Sequence, residues 1–110
     1  MIIVNRKTIV GAENVVYDQF GNNTVAFLAD LPKNAIVTSV LVNGKHLKTA
    51  DNLAKEVTVD YYRTDEYFGK RVAALLYSVY DGNEIVDAVK AFAINEFEVE
   101  YIEVAIAEIN

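Results

Sequence analysis

No cysteine and no tryptophan occur in these 110 residues, and there is one proline, Pro32, and one histidine, His46. Without cysteine, disulfides and thiolate metal sites are both excluded, and stability has to come from packing and hydrogen bonding. One proline and five scattered glycines rule out a Pro-rich linker and a glycine-rich phosphate loop. The longest apolar run, Val72 to Tyr77, is far too short to cross a bilayer as a helix. Met1 leads into strand-like Ile2-Ile3-Val4 with no basic start, long apolar stretch or small-residue cleavage site, so no signal peptide is read. A cytoplasmic location, a place in a particle assembled inside a cell, or origin as a domain of something larger is therefore expected.

Basic clusters are missing as well. The formal charge is −6, spread unequally: residues 1–55 carry +2 and residues 56–110 carry −8. An acidic chain of this kind is a poor partner for phosphate backbones, so no nucleic acid is expected. Unequal halves could favour head-to-tail contact between copies, although a solvated acidic face is the simpler reading.

What is present is a generous hydrophobic fraction, 53%, arranged in short β-rich runs. The length suits one domain spanning 1–110. Met1–Val10 closes at Gly11. Val15–Tyr17 precedes a turn over 18–23, and Thr24–Ala29 resumes the strand pattern until Leu31–Asn34 breaks it. Ile36–Val42 ends at Asn43-Gly44, a strong hairpin signal because a type I′ turn needs positive φ at both central residues. Lys45–Lys48 is the short return strand, and Thr49–Ala54 is a loop or one helical turn. Val57–Tyr62 is a strand, Arg63–Gly69 a polar and aromatic connection, and Arg71–Tyr80 the most apolar run. Asp81-Gly82-Asn83 turns it back. Such spacing predicts an all-β, single-domain antiparallel β-sandwich, or small barrel, of about seven strands with at most one or two short helices.

Two segments are ambiguous. Over Glu84–Ile94 a helix would place Ile85, Val89, Phe92 and Ala93 on one face, yet the turn before it and its β-branched residues favour a strand. Phe97 to Ile109 alternates at first, then shifts phase to Ile102, Val104 and Ile106, which predicts a β-bulge or a strand crossing between sheets. A helix is the alternative there. Arg71–Tyr80 is apolar on both faces, with Val72, Ala74 and Leu76 opposite Ala73, Leu75, Tyr77 and Val79. Either the same chain covers the second face or another copy does, making Leu75, Tyr77 and Val79 candidates for an oligomer interface.

The run Val72-Ala73-Ala74-Leu75-Leu76 followed by Tyr80-Asp81-Gly82-Asn83-Glu84-Ile85-Val86-Asp87 resembles the central hairpin of Ig-like and fibronectin-III-like modules in bacterial surface proteins. The likeness covers the second half only. It implies a spacer or binding unit without catalytic residues, so no site residue carries over.

Catalytic constellations are thin. Ser39 and His46 flank the Asn43-Gly44 turn and could sit on neighbouring strands, but no nucleophile-elbow sequence surrounds Ser39. One histidine without cysteine leaves only hard oxygen-ligand ions, and Asp81-Gly82-Asn83-Glu84 is better explained as a turn. No enzyme activity, metal or cofactor is expected. Glu96, Glu98 and Glu100 alternate along one strand, as on the outward face of an edge strand, and Glu103 extends the acidic face. The aromatic group Tyr61, Tyr62, Tyr67 and Phe68, interleaved with charges, rises above background as an anchor for a partner, with core packing and end-capping as the plainer reading. The expected function is a non-enzymatic structural or protein-interaction module, self-associating, such as a component of a phage or other assembled particle. The alternatives are a carbohydrate-binding module using the 61–68 loop to hold a glycan, and an acidic inhibitor or decoy for a basic partner.

Overall fold

Alternating β-branched and aromatic residues, interrupted by glycine, asparagine and aspartate, build two antiparallel sheets packed face to face. The computed structural model describes residues 2–47, 57–61, 63–78 and 84–104. The first sheet orders β1 (Val4–Val10), β9 (Glu96–Glu103), β4 (Ala35–Val42) and β5 (Lys45–His46) as β1-β9-β4-β5. The second orders β2 (Val15–Tyr17), β3 (Val25–Ala29), β8 (Lys70–Ser78) and β6 (Val57–Asp60) as β2-β3-β8-β6, with β7 (Glu66–Tyr67) also paired to β8. This is the all-β sandwich that the spacing predicts. The strand tally exceeds seven because β5 and β7 are two-residue pieces at hairpin turns. No helix among the described residues is long and apolar enough to cross a membrane.

The core lies between the sheets. Val25, Phe27, Ala74 and Leu76 from one sheet meet Val37, Val40, Phe97 and Val99 from the other, all essentially without solvent contact. Phe27 and Phe97 meet edge to face at 5.0 Å and 87°, a favoured aromatic geometry that joins β3 to β9.

Residues 84–94 are not a strand. Ile85–Lys90 form a single short helix, α1, whose Ile85, Val86 and Val89 are buried against the core. Asp87 in its first turn and Lys90 in its last suit the helix dipole. The i, i+4 pair Ile85 and Val89 points inward only with a helical period, so burial outweighs the β-branched preference for strand. The Val86 N–H donates to Asn23 Oδ1 at 3.1 Å, tying α1 to the turn after β2. Helical bonding fades at Ala93, whose φ is +47°.

The phase shift near the end has a different origin from the one the alternation predicts. β9 pairs without interruption to β1, from Val10↔Glu96 to Val4↔Ile102. The irregularity sits in β4, where Val37 opposes Tyr101 but Ser39 opposes Glu100, leaving Thr38 extra. The Thr38 hydroxyl donates to the Glu100 carbonyl at 3.2 Å. Ile102 therefore points outward, level with Val4 and Ile36 on its neighbours.

A second bulge rearranges β8. Phe27 opposes Ala74 and Leu28 opposes Val72, so Ala73 is extra. Ala73, Ala74 and Leu76 consequently face the main core, while Val72 joins Leu75 on the other side. Strict alternation would place Val72 with Ala74; the inserted residue reverses it. Ala26, Leu28, Val72 and Leu75 form a second buried cluster, with Val16, Phe20, Tyr67 and Tyr77 packed against it. Of the two alternatives for the doubly apolar strand, the chain's own residues cover this face.

Candidate functional site

The feature that stands out from this scaffold is a ridge of three aromatic rings. The β7–β8 connection is a two-residue hairpin: Tyr67 pairs with Lys70, and between them Phe68 and Gly69 have φ of +49° and +78°. Positive φ at both central positions is the signature of a type I′ turn, whose usual residues are Asn, Asp and Gly. Phenylalanine in the left-handed region is disfavoured sterically. Here it is also 87% exposed. Its ring stacks edge to face on Tyr67 at 4.6 Å and 82°, and Tyr67 in turn meets Phe20 at 6.0 Å and 63°.

Phe20 comes from the turn after β2, a loop fastened by its own hydrogen bonds. Asp18 N–H donates to the Thr24 carbonyl at 2.9 Å, Asn23 N–H to Asp18 Oδ1 at 2.6 Å, and the Thr24 hydroxyl to the Gly21 carbonyl at 2.8 Å. Asp18 and Asn23 take the left-handed conformation their short polar side chains tolerate. Beside the ridge, a cleft of about 520 Å³ includes Leu31, Lys33, Glu66, Gly69 and Arg71 in its walls.

The other residues of the aromatic stretch do not join this ridge. Tyr61 packs against the main core, and its hydroxyl is buried with no hydrogen-bond partner among the described residues. Tyr62 and Val79 lie outside the described residues, as do the Asp81-Gly82-Asn83 turn and residues 49–54 and 105–109. Arg63 ties the loop down, through Asp60 at 3.5 Å and Asp65 at 2.5 Å. Leu75 is 5% exposed and Tyr77 half-buried, so β8 offers no open apolar face at Leu75. Phe20 is the ridge residue that sequence reading passes over; the signal was an aromatic ring standing inside an otherwise polar turn, Asp18-Gln19-Phe20-Gly21.

The acidic residues are distributed differently from an edge-strand face. β9 is a central strand, flanked by β1 and β4. Arg6 on β1 pairs with both Glu98 and Glu100, which face it across the ladder. Glu103 has the opposite parity, that of Phe97, Val99 and Tyr101, and stands exposed at the strand end. Ser39 and His46 do meet: the serine Oγ and the imidazole Nδ1 are hydrogen-bonded between β4 and β5. Ser39 is itself buried.

Among the described residues, the fold displaces the ionisation of the Tyr17 phenol. Burial raises the Tyr17 phenol above its ordinary pKa of 10.0, and the Lys90 ammonium lies 5.0 Å from the ring centroid. The folded state then holds the phenolic proton to higher pH than the unfolded chain does. Stability from this group is complete below about pH 10 and declines as pH rises through the raised value. Chemical denaturation at pH 9 and pH 11 should show a larger loss for the wild type than for Tyr17→Phe; equal losses would mean the phenol is not desolvated.

The fold defines an all-β sandwich, and the site an aromatic ridge in which Phe68 is exposed while Phe20 and Tyr67 are half-buried beneath it. No family model, no curated protein and no solved structure matches this chain.

Proposed function

We propose that this domain is a non-enzymatic protein-interaction module whose contact surface is the Phe20–Tyr67–Phe68 ridge. The observation that carries this reading is Phe68. A large aromatic side chain placed at 87% exposure, in a backbone conformation that favours asparagine or glycine, lowers the stability of the free domain. Aromatic residues of this kind, next to a cleft and on a rigid support, are what hot spots at protein interfaces are made of. Rigid turns on both sides also reduce the ordering cost of binding.

The ring geometry favours a protein over a glycan. Sugar stacking needs an open, coplanar aromatic platform, whereas these rings meet at 63° and 82°. The acidic-decoy reading draws less support, since Glu98 and Glu100 are already paired to Arg6.

Phe68→Asn tests the proposal with two readouts of opposite sign. Relief of the left-handed strain should raise stability by about 1 kcal/mol, a rise in Tm of roughly 4 °C. The same substitution should abolish chemical-shift changes at Phe20 and Tyr67 on titration with the protein partner. A loss of stability in Phe68→Asn would make the ring a packing residue and overturn the reading. Comparable shifts with soluble gluco- or chito-oligosaccharides would move the assignment to a carbohydrate module.

A further inference from the structure

Apart from Phe68, the large hydrophobic residues left exposed among the described residues gather on and beside β1. They are Ile2, Ile3, Val4 and Val10 on that segment, with Ile36 and Val104 nearby. Val4 is 61% exposed and lies in one row with Ile102 on β9 and Ile36 on β4, on the outer face of the first sheet. β1 is also an edge strand, and it differs from the other edges. Among the described residues, the strands β2, β5 and β6 that end the remaining sheet margins have three, two and four residues; β1 has seven and contains neither proline nor a bulge. Short edges and edge charges protect against pairing; on β1 the charges are Arg6 and Lys7 at its middle, which leaves the uncharged end at Val4 open to it.

Main-chain polarity of this edge follows from the ladder. Gly11 N–H donates to the Asn95 carbonyl at 2.8 Å, and on the far side of β9 Val104 N–H donates to the Asn34 carbonyl at 3.2 Å. Residues in an antiparallel ladder face alternate sides. Both bonds give the same result: Asn5, Lys7 and Ile9 face β9, and Val4, Arg6, Thr8 and Val10 turn their N–H and C=O groups to the open edge.

We propose that this edge is a homodimer interface, in which β1 pairs antiparallel with β1 of a second copy about a two-fold axis at Val4. An outward residue must meet an outward residue, which excludes half of all registers. Registers centred on Arg6 or Lys7 bring like charges face to face. Of those left, the register centred on Val4 is the one that brings the Ile36–Ile102–Val4 row against its own mate. It sets Val4 on Val4 of the second copy, Ile3 opposite Asn5 and Ile2 opposite Arg6, and places no two like charges opposite each other; Lys7 donates to the Asp30 carbonyl at 2.5 Å within its own molecule. The Arg6 charge is met within its own sheet by Glu98 and Glu100, so its aliphatic stem is available to cover Ile2 of the second copy. The Ile36–Ile102–Val4 row then meets its own mate end to end, and the aliphatic row runs unbroken across both molecules. This surface is separate from the aromatic ridge and does not depend on it.

The test is the mass of the full chain in solution by sedimentation equilibrium over a wide concentration range. A short edge pair gives a weak dimer, so dimer should appear only at the higher concentrations. Val4→Pro removes the outward N–H at the axis without taking a bond from β9, a position where an edge strand accepts proline. It should weaken the dimer by about tenfold or more, while Phe68→Asn leaves it unchanged. Because the chain has no cysteine, a single introduced thiol reports the register: Val4→Cys should oxidise to a disulfide dimer and Thr8→Cys should not. A strict monomer at every concentration, a dimer unaffected by Val4→Pro, or equal cross-linking at both positions would each overturn the proposal. So would loss of the dimer in Phe68→Asn, which would place the homotypic contact on the ridge. If Val4→Pro fails to fold, the two cysteine variants decide the question alone.

Discussion

Replacing Phe27 with alanine is expected to remove about 4 kcal/mol of stability, enough to leave a domain of ordinary stability partly unfolded at 37 °C. Phe27 has no solvent contact and Phe97 almost none. They come from opposite sheets and form the one aromatic pair that spans the interior among the described residues. Alanine would leave a cavity that neighbouring β3 and β8 residues, already bonded in their ladder, cannot close. Urea denaturation of Phe27→Ala, Phe97→Ala and the double variant should give a coupling energy of about 1 kcal/mol. A loss under about 1 kcal/mol for either single variant would mean that the sheets are not joined through this contact.

The second large effect is at Leu75. From the sequence alone this residue stands as a candidate for an oligomer interface, where substitution to alanine would change the stability of a monomer little. Its burial with Ala26, Leu28 and Val72 requires the opposite. Leu75→Ala should cost about 2–4 kcal/mol, and Leu75→Asp should prevent folding, since a carboxylate buried there would have no cationic partner within the cluster. Thermal unfolding at low protein concentration measures this without any contribution from association. A change within about 0.5 kcal/mol for Leu75→Ala would mean that this face of β8 is open in solution.

Much of the architecture was legible because local chemistry agreed with the global fold. Asn43-Gly44, with φ of +53° and +77°, forms the hairpin its dipeptide announces. β9 alternates over its first five residues as a half-buried strand should, and the run over residues 24–29 became the fully buried β3. The site was only partly legible. Tyr67 and Phe68 were identified as a pair, but the turn that exposes Phe68 has Phe-Gly where hairpin signals have Asn-Gly, so the hairpin itself went unread. Phe20 lies 47 positions from Tyr67 in the chain, and only loop closure brings the rings together.

Two of the departures from the expected pattern, in β4 and β8, share one physical cause. Period-two reasoning assumes that each residue has one opposite number, and the bulges at Thr38 and Ala73 break that count. Ala73 is small enough to sit beside Ala74 facing inward, which sends Val72 to the other cluster, and nothing in the local sequence marks it. Likewise the Glu series is the same in any sheet; whether it lines an edge or a central strand depends on β1 reaching β9 from the far end of the chain.

By itself, then, the sequence determined what local interactions determine: an all-β class, its principal strands, the Asn43-Gly44 turn, and the absence of cysteine chemistry. These depend on dihedral preferences and side-chain period within a few residues. Tertiary structure decided the rest. It made Ile85–Lys90 a helix because burying Ile85 and Val89 together outweighs their strand preference. It covered one face of β8 with Phe20 and Tyr67, exposed Phe68, and left β1 as the long open edge. Which surface is free to meet a partner is a property of non-local packing, because a residue is exposed only when no distant part of the chain has come to lie on it.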